Sequence, residues 1–126
     1  MENQKKILVV EDEQILRQAL IGKLTHEGFS VQMASDGEEG LRSALSEHPD
    51  LILLDIVMPT MDGVTMLKKL REDDWGQKAN VIILTNLSDA EKMEESLKAG
   101  VHDYLIKADW KLEDLVEKIK IKLQNP

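Results

Sequence analysis

The chain has 126 residues, a formal net charge of −8 at pH 7, 42% hydrophobic and 32% charged residues, and no cysteine. That length and balance suit one folded domain with a real core rather than a disordered segment. The acidic excess argues against a direct binder of nucleic acid or anionic membrane, and the lack of cysteine excludes disulfides, thiolate metal sites and a cysteine nucleophile.

The start, Met1 to Lys6, is polar, and Ile7-Leu8-Val9-Val10 is too short for a signal sequence or membrane span, so a cytoplasmic protein is expected. Lys6 to Val10 reads as a first strand, ending on Glu11-Asp12-Glu13. Ile15, Leu16, Ala19, Leu20, Lys23 and Leu24 then fall at helical spacing before the stop at Glu27-Gly28. Ser30 to Ala34 alternates weakly and reads as a more exposed strand. Asp36-Gly37 turns into a helix carrying Gly40, Leu41, Ala44 and Leu45, which stops before His48-Pro49.

Leu51-Ile52-Leu53-Leu54 is an apolar run without alternation, the signature of a strand covered on both faces, and it runs straight into Asp55. After the loop Met58-Pro59-Thr60-Met61-Asp62-Gly63, a helix sets Val64, Met66, Leu67 and Leu70 inward. Glu72 to Ala79 reads as polar linker. Val81-Ile82-Ile83-Leu84-Thr85 repeats the apolar run with a polar end. Ser88-Asp89-Ala90 caps a helix carrying Met93, Leu97 and Ala99, which Gly100 closes. Asp103 to Lys107 is the last strand. Leu112, Leu115, Val116, Ile119 and Leu123 mark a terminal amphipathic helix, with Lys118, Lys120 and Lys122 on a solvated face.

Strand and helix thus alternate five times with short connections, which implies an α/β domain with a parallel sheet and helices on both faces. In such a sheet the carboxyl ends of the strands share one edge, where ligands bind. Glu11, Asp12, Asp55, Thr85 and Lys107 all stand at strand ends. Three converging carboxylates would repel one another, which calls for a divalent cation or for one of them to hold a proton. Among cations Mg²⁺ fits best, being hard and selective for oxygen. Asp55 then suits a nucleophile toward phosphorus, while Lys107 and the Thr85 hydroxyl can meet phosphoryl oxygens. The scattered His26, His48 and His102 form neither a zinc pattern nor a triad, and the loop methionines suit packing better than ligation.

Glu11-Asp12, Asp55 followed by Met58-Pro59 and Asp62-Gly63, Thr85 and Lys107 together resemble the receiver domain of two-component response regulators. The resemblance covers Lys6 to Leu123. It implies a flavodoxin-like (βα)5 doubly wound sheet of strand order 2-1-3-4-5, with Asp55 phosphorylated by a sensor histidine kinase or phosphotransfer protein. It implies Mg²⁺ held by Asp12, Asp55 and the main-chain carbonyl of Val57, with Glu11 acting partly through water, and a loop supported by Pro59 and Gly63. It also implies a switch in which Thr85 moves toward the phosphoryl group and Tyr104 turns inward, reshaping the face made by the fourth helix, last strand and last helix.

The sequence departs from the family at Asn86, where a small residue is usual, and at Lys107-Ala108-Asp109-Trp110, where the family has Lys-Pro and an aromatic. Without proline a cis bond costs about 2.5–4 kcal/mol, so a trans Lys107–Ala108 bond is expected, with Trp110 taking the aromatic's place. The expectation is one free-standing receiver spanning residues 1–126, with no output domain, acting as a monomer or a phosphorylation-dependent dimer on a downstream protein. Catalysis should not exceed self-phosphorylation from phosphodonors and slow loss of the phosphoryl group. Two rivals are a pseudo-receiver that is never phosphorylated and a small phosphohydrolase using Asp55. The second lacks an acid two residues on, where Val57 stands.

Overall fold

The structure is a computed structural model that describes residues 4–56, 58, 60–85, 90–101, 103–106 and 111–124. Among the expected site residues, Val57, Pro59 and Lys107 lie outside this set. So do Asn86, the Ser88-Asp89 cap, His102 and the Ala108-Asp109-Trp110 loop.

Five short apolar runs form the strands β1 (Lys6–Val10), β2 (Ser30–Ala34), β3 (Leu51–Asp55), β4 (Val81–Thr85) and β5 (Tyr104–Ile106). They make one parallel sheet in the order β2-β1-β3-β4-β5, the expected flavodoxin-like topology. The central runs lack polar alternation because both faces are covered. Every residue of β3 and β4 is buried, whereas the outer strand β2 leaves Met33 half exposed.

Five helices cover the sheet: α1 (Gln14–His26), α2 (Gly37–Glu47), α3 (Gly63–Arg71), α4 (Ala90–Lys98) and α5 (Leu112–Gln124). Successive strand residues point to opposite faces. Leu8, Val10, Ile52, Leu54 and Ile83 therefore pack with Ala44 of α2 and Val64, Met66, Leu67 and Leu70 of α3. Ile7, Val9, Leu53, Ile82 and Leu84 pack with Leu20 and Leu24 of α1 and with Leu115, Val116 and Ile119 of α5. The chain leaves β1 for β2 on one side and returns to β3 on the other. This reversal opens a crevice between the carboxyl ends of β1 and β3.

Several details differ from the sequence expectation. Ile15 is 88% exposed and Ala19 is exposed, so the inward stripe of α1 is narrower than the periodicity suggests and rests on Leu20 and Leu24, with Leu16 partly buried against the same core. Among the described side chains of α4 Ser96 is buried, whereas Leu97 is 41% exposed. The polar linker after α3 contains a short 3-10 helix, Gly76–Lys78, and buries Gly76 and Ala79. Trp75 packs on the core there and stacks on His48, with ring centroids 4.3 Å apart.

The terminal lysines are not merely solvated. Lys118 and Lys122 both pair with Asp103 just before β5, and Lys120 pairs with Glu27 after α1. Hydrogen bonding from Lys122, with its charge and that of Lys118, holds the Asp103 carboxyl below its usual range against a smaller opposing effect of burial. Arg71 closes the same amino-terminal edge of the sheet. Its guanidinium donates to the carbonyls of Ala99, Gly76 and Ala79, tying the end of α3 to the 3-10 turn and to the residue after α4.

Candidate metal and phosphoryl site

The site begins where β1 stops. The Glu11 N–H donates to the Ala34 carbonyl at 3.1 Å, extending the β1–β2 ladder by one residue. Glu11 itself is wholly buried, and its Oε2 accepts from the Glu13 N–H at 3.0 Å, closing a tight acidic turn ahead of α1. Asp12 is exposed. Arg17, in the first turn of α1, donates from Nη1 to the Glu11 carbonyl at 2.9 Å and to that of Asp12 at 3.4 Å.

Asp55 ends β3 and is 4% exposed. The loop that follows is pinned on both sides. The Ile56 N–H reaches the Leu84 carbonyl of β4, and the Gly63 N–H returns to the Ile56 carbonyl at 2.8 Å. Asp62 caps α3, accepting from the Thr65 N–H at 2.9 Å. Between them Thr60 takes a left-handed backbone (φ 69°). Met61 offers its carbonyl to the Gly37 N–H at the start of α2, so that α2 braces the loop as well.

Three of the expected ligands meet. One oxygen each of Glu11, Asp12 and Asp55 lie within 4.8 Å of one another. Octahedral Mg²⁺ holds oxygens at about 2.1 Å, so adjacent ligands stand about 3 Å apart and opposite ones about 4 Å. The 4.8 Å bound on the oxygen separations is close to that spacing, and an all-carboxylate donor set has the required hardness. At an effective dielectric near 20, two ionised carboxylates about 5 Å apart repel by about 3 kcal/mol, which a dication would reverse.

Thr85 ends β4 beside this cluster. Its neighbour Leu84 pairs in register with Asp55, and Thr85 is 2% exposed. Tyr104 opens β5 beside Ile83 and is 43% exposed. Gly63 stands against the main chain of Asp55 and Ile56. Arg17 and Gly37 were not singled out from the sequence. Gly37 follows a capping aspartate, and Arg17 stands six and five residues beyond the acidic pair it grips. The capping Asp36 was a signal for Gly37, whereas Arg17 acts on main-chain carbonyls and carried none.

Comparison with known proteins gives this geometry a family. The model of the response regulator receiver domain matches residues 7–120. The response regulator ArlR of Staphylococcus aureus is 38% identical over 120 residues, covering 95% of this chain and 53% of ArlR. The chain thus spans about half the length of the curated relatives it matches. A CheY-like receiver domain protein from Methanospirillum hungatei superposes with a TM-score of 0.89 at 33% identity, covering 97% of this chain and 95% of that one. The receiver domain of a sensor histidine kinase from Pseudomonas aeruginosa, with magnesium coordinated in its active-site cleft, gives a TM-score of 0.88 at 28% identity. It covers 98% of this chain and all (100%) of its own. With the sheet order, the acidic cluster and the family match in agreement, the chain belongs to the response regulator receiver domains of two-component signalling.

Proposed function

We propose that residues 6–123 act as one phospho-acceptor switch, taking a phosphoryl group from the phosphohistidine of a sensor kinase or phosphotransfer protein onto Asp55. The observation that carries this reading is the meeting of Glu11, Asp12 and Asp55 at the reversal point of the sheet. Asp55, Asp12 and Glu11 would hold Mg²⁺ together with the Val57 carbonyl, which the family resemblance contributes. Bound there, Mg²⁺ neutralises charge on the carboxylates and on phosphoryl oxygens.

A carboxylate oxygen of Asp55 attacks phosphorus, the new O–P bond forms, and the donor's P–N bond breaks with the electron pair leaving on the imidazole. Burial and the pinned loop hold that carboxylate in one orientation, so little ordering is left for the reaction itself. The Thr85 hydroxyl donates to one phosphoryl oxygen and Lys107 pairs with another. Tyr104, exposed in this structure, turns inward as Thr85 moves, and the face formed by α4, β5 and α5 changes for a downstream protein. Bringing a percent-level active form to dominance requires a bias of roughly 3–5 kcal/mol. No described helix is long and apolar enough to cross a membrane.

The test is intact mass after incubation with acetyl phosphate, with and without Mg²⁺, for the wild type and Asp55→Asn. One added phosphoryl group that needs Mg²⁺ and vanishes in Asp55→Asn supports the switch. No adduct with any donor points to a non-phosphorylated interaction module, and rapid multiple turnover of the donor points to a phosphohydrolase.

A further inference from the structure

Arg17 is partly buried in the first turn of α1. Among the described residues its guanidinium forms no ion pair, although two carboxylates sit on the residues it touches. It grips their carbonyl oxygens instead, at 2.9 Å for Glu11 and 3.4 Å for Asp12. Its own N–H donates to the Glu13 carbonyl at 2.9 Å, so both ends of the residue are tied to the same turn. Two consecutive carbonyls are held by one guanidinium nitrogen, Nη1, closely at Glu11 and more loosely at Asp12, and the two carboxylates of that turn lie with Asp55 in one cluster.

We propose that Arg17 is a positioning residue that sets the cation affinity of the acidic cluster by fixing the turn between β1 and α1. This rests on the reading of Glu11, Asp12 and Asp55 as a cation site. Two effects of Arg17 oppose each other. Its positive charge near the cluster repels a dication, so its removal would tighten binding. Its grip on the carbonyls preorganises two of three carboxylates, so its removal would weaken binding. Preorganisation wins here, because the cluster's oxygens already stand near ligand spacing whereas a freed turn would let the like-charged side chains spread.

Calorimetric titration of Mg²⁺ into the full chain separates these signs. Arg17→Met should raise Kd about tenfold, the low end for loss of a group that orients ligands. Arg17→Lys keeps the charge and can serve one carbonyl, so it should fall between wild type and Arg17→Met. Without metal, amide exchange at Glu13, whose N–H bonds to Glu11 Oε2, should speed up in both variants by more than any loss of global stability accounts for. Should Arg17→Met fail to fold in a thermal melt with chelator, the lysine variant carries the comparison. Unchanged or tighter Mg²⁺ binding, or unaltered exchange at Glu13, would overturn the inference. Wild-type protein that binds no Mg²⁺, indistinguishable from Asp12→Asn, would bring down the cation reading itself. Binding that Asp12→Asn abolishes and Arg17 variants leave untouched removes only the role of Arg17.

Discussion

Gly63 lies directly against the main chain of Asp55. A Cβ at position 63 would stand 2.2 Å from the Asp55 carbonyl oxygen and 2.9 Å from the Ile56 Cα. Backbone on both sides cannot yield as a flexible side chain would, so Gly63→Ala must displace either the start of α3 or the end of β3. A loss of about 3 kcal/mol in urea unfolding is expected, with weakened Mg²⁺ binding as Asp55 shifts. Full stability in Gly63→Ala would mean that the two segments are less tightly opposed than this.

Gly22 provides the contrast. It sits inside α1 on the exposed side, with nothing within 4 Å of the space a Cβ would fill. Gly22→Ala should stabilise the domain by about 0.5–1 kcal/mol through helix propensity alone, seen as a higher urea midpoint at constant m-value.

Arg71 donates to three main-chain carbonyls from a partly buried position, and burial pulls its pKa below the ordinary arginine value. Arg71→Met keeps most of the aliphatic stem but leaves those carbonyls to find water. The expected cost is about 3 kcal/mol by chemical denaturation. A loss near zero would show that solvent satisfies the carbonyls equally well.

Asp103 links the start of β5 to α5 through Lys122 and Lys118. Its pKa is lowered on folding, so its contribution is fully present above the unfolded carboxylate pKa and is lost as pH falls through the lower folded value. Asp103→Asn should therefore cost up to about 1 kcal/mol at neutral pH, since the pair is partly exposed and screened. The difference from wild type should shrink below about pH 4, which paired melts across pH will show. A gap that widens in acid would have the wrong sign.

The fold was legible because its strands are buried on both faces and so carry unbroken apolar runs, as in Leu51–Leu54 and Val81–Leu84. Strand order came from the family resemblance, since periodicity says nothing about which strands are neighbours. Helix faces were less legible. Ile15 and Ala19 flank the inward row Leu16, Leu20 and Leu24 of α1 and fall on its exposed side, and in α4 Ser96 is buried while Leu97 is 41% exposed, which apolarity alone does not foretell. At the site, acidic residues at strand ends announced themselves, and Glu11, Asp12 and Asp55 do converge. The supports did not, because Arg17 and Arg71 act on carbonyl oxygens, which every residue has and no sequence pattern marks.

The identity of the phospho-acceptor is tested most directly by chemical marking. Borohydride reduces an aspartyl phosphate to homoserine, and peptide mass spectrometry then reads the position. After acetyl phosphate and Mg²⁺, homoserine is expected at position 55 alone and should disappear with chelator. Homoserine at position 12, or an unreduced aspartate at position 55 in protein that carries the added phosphoryl mass, would contradict the assignment of Asp55 as the acceptor.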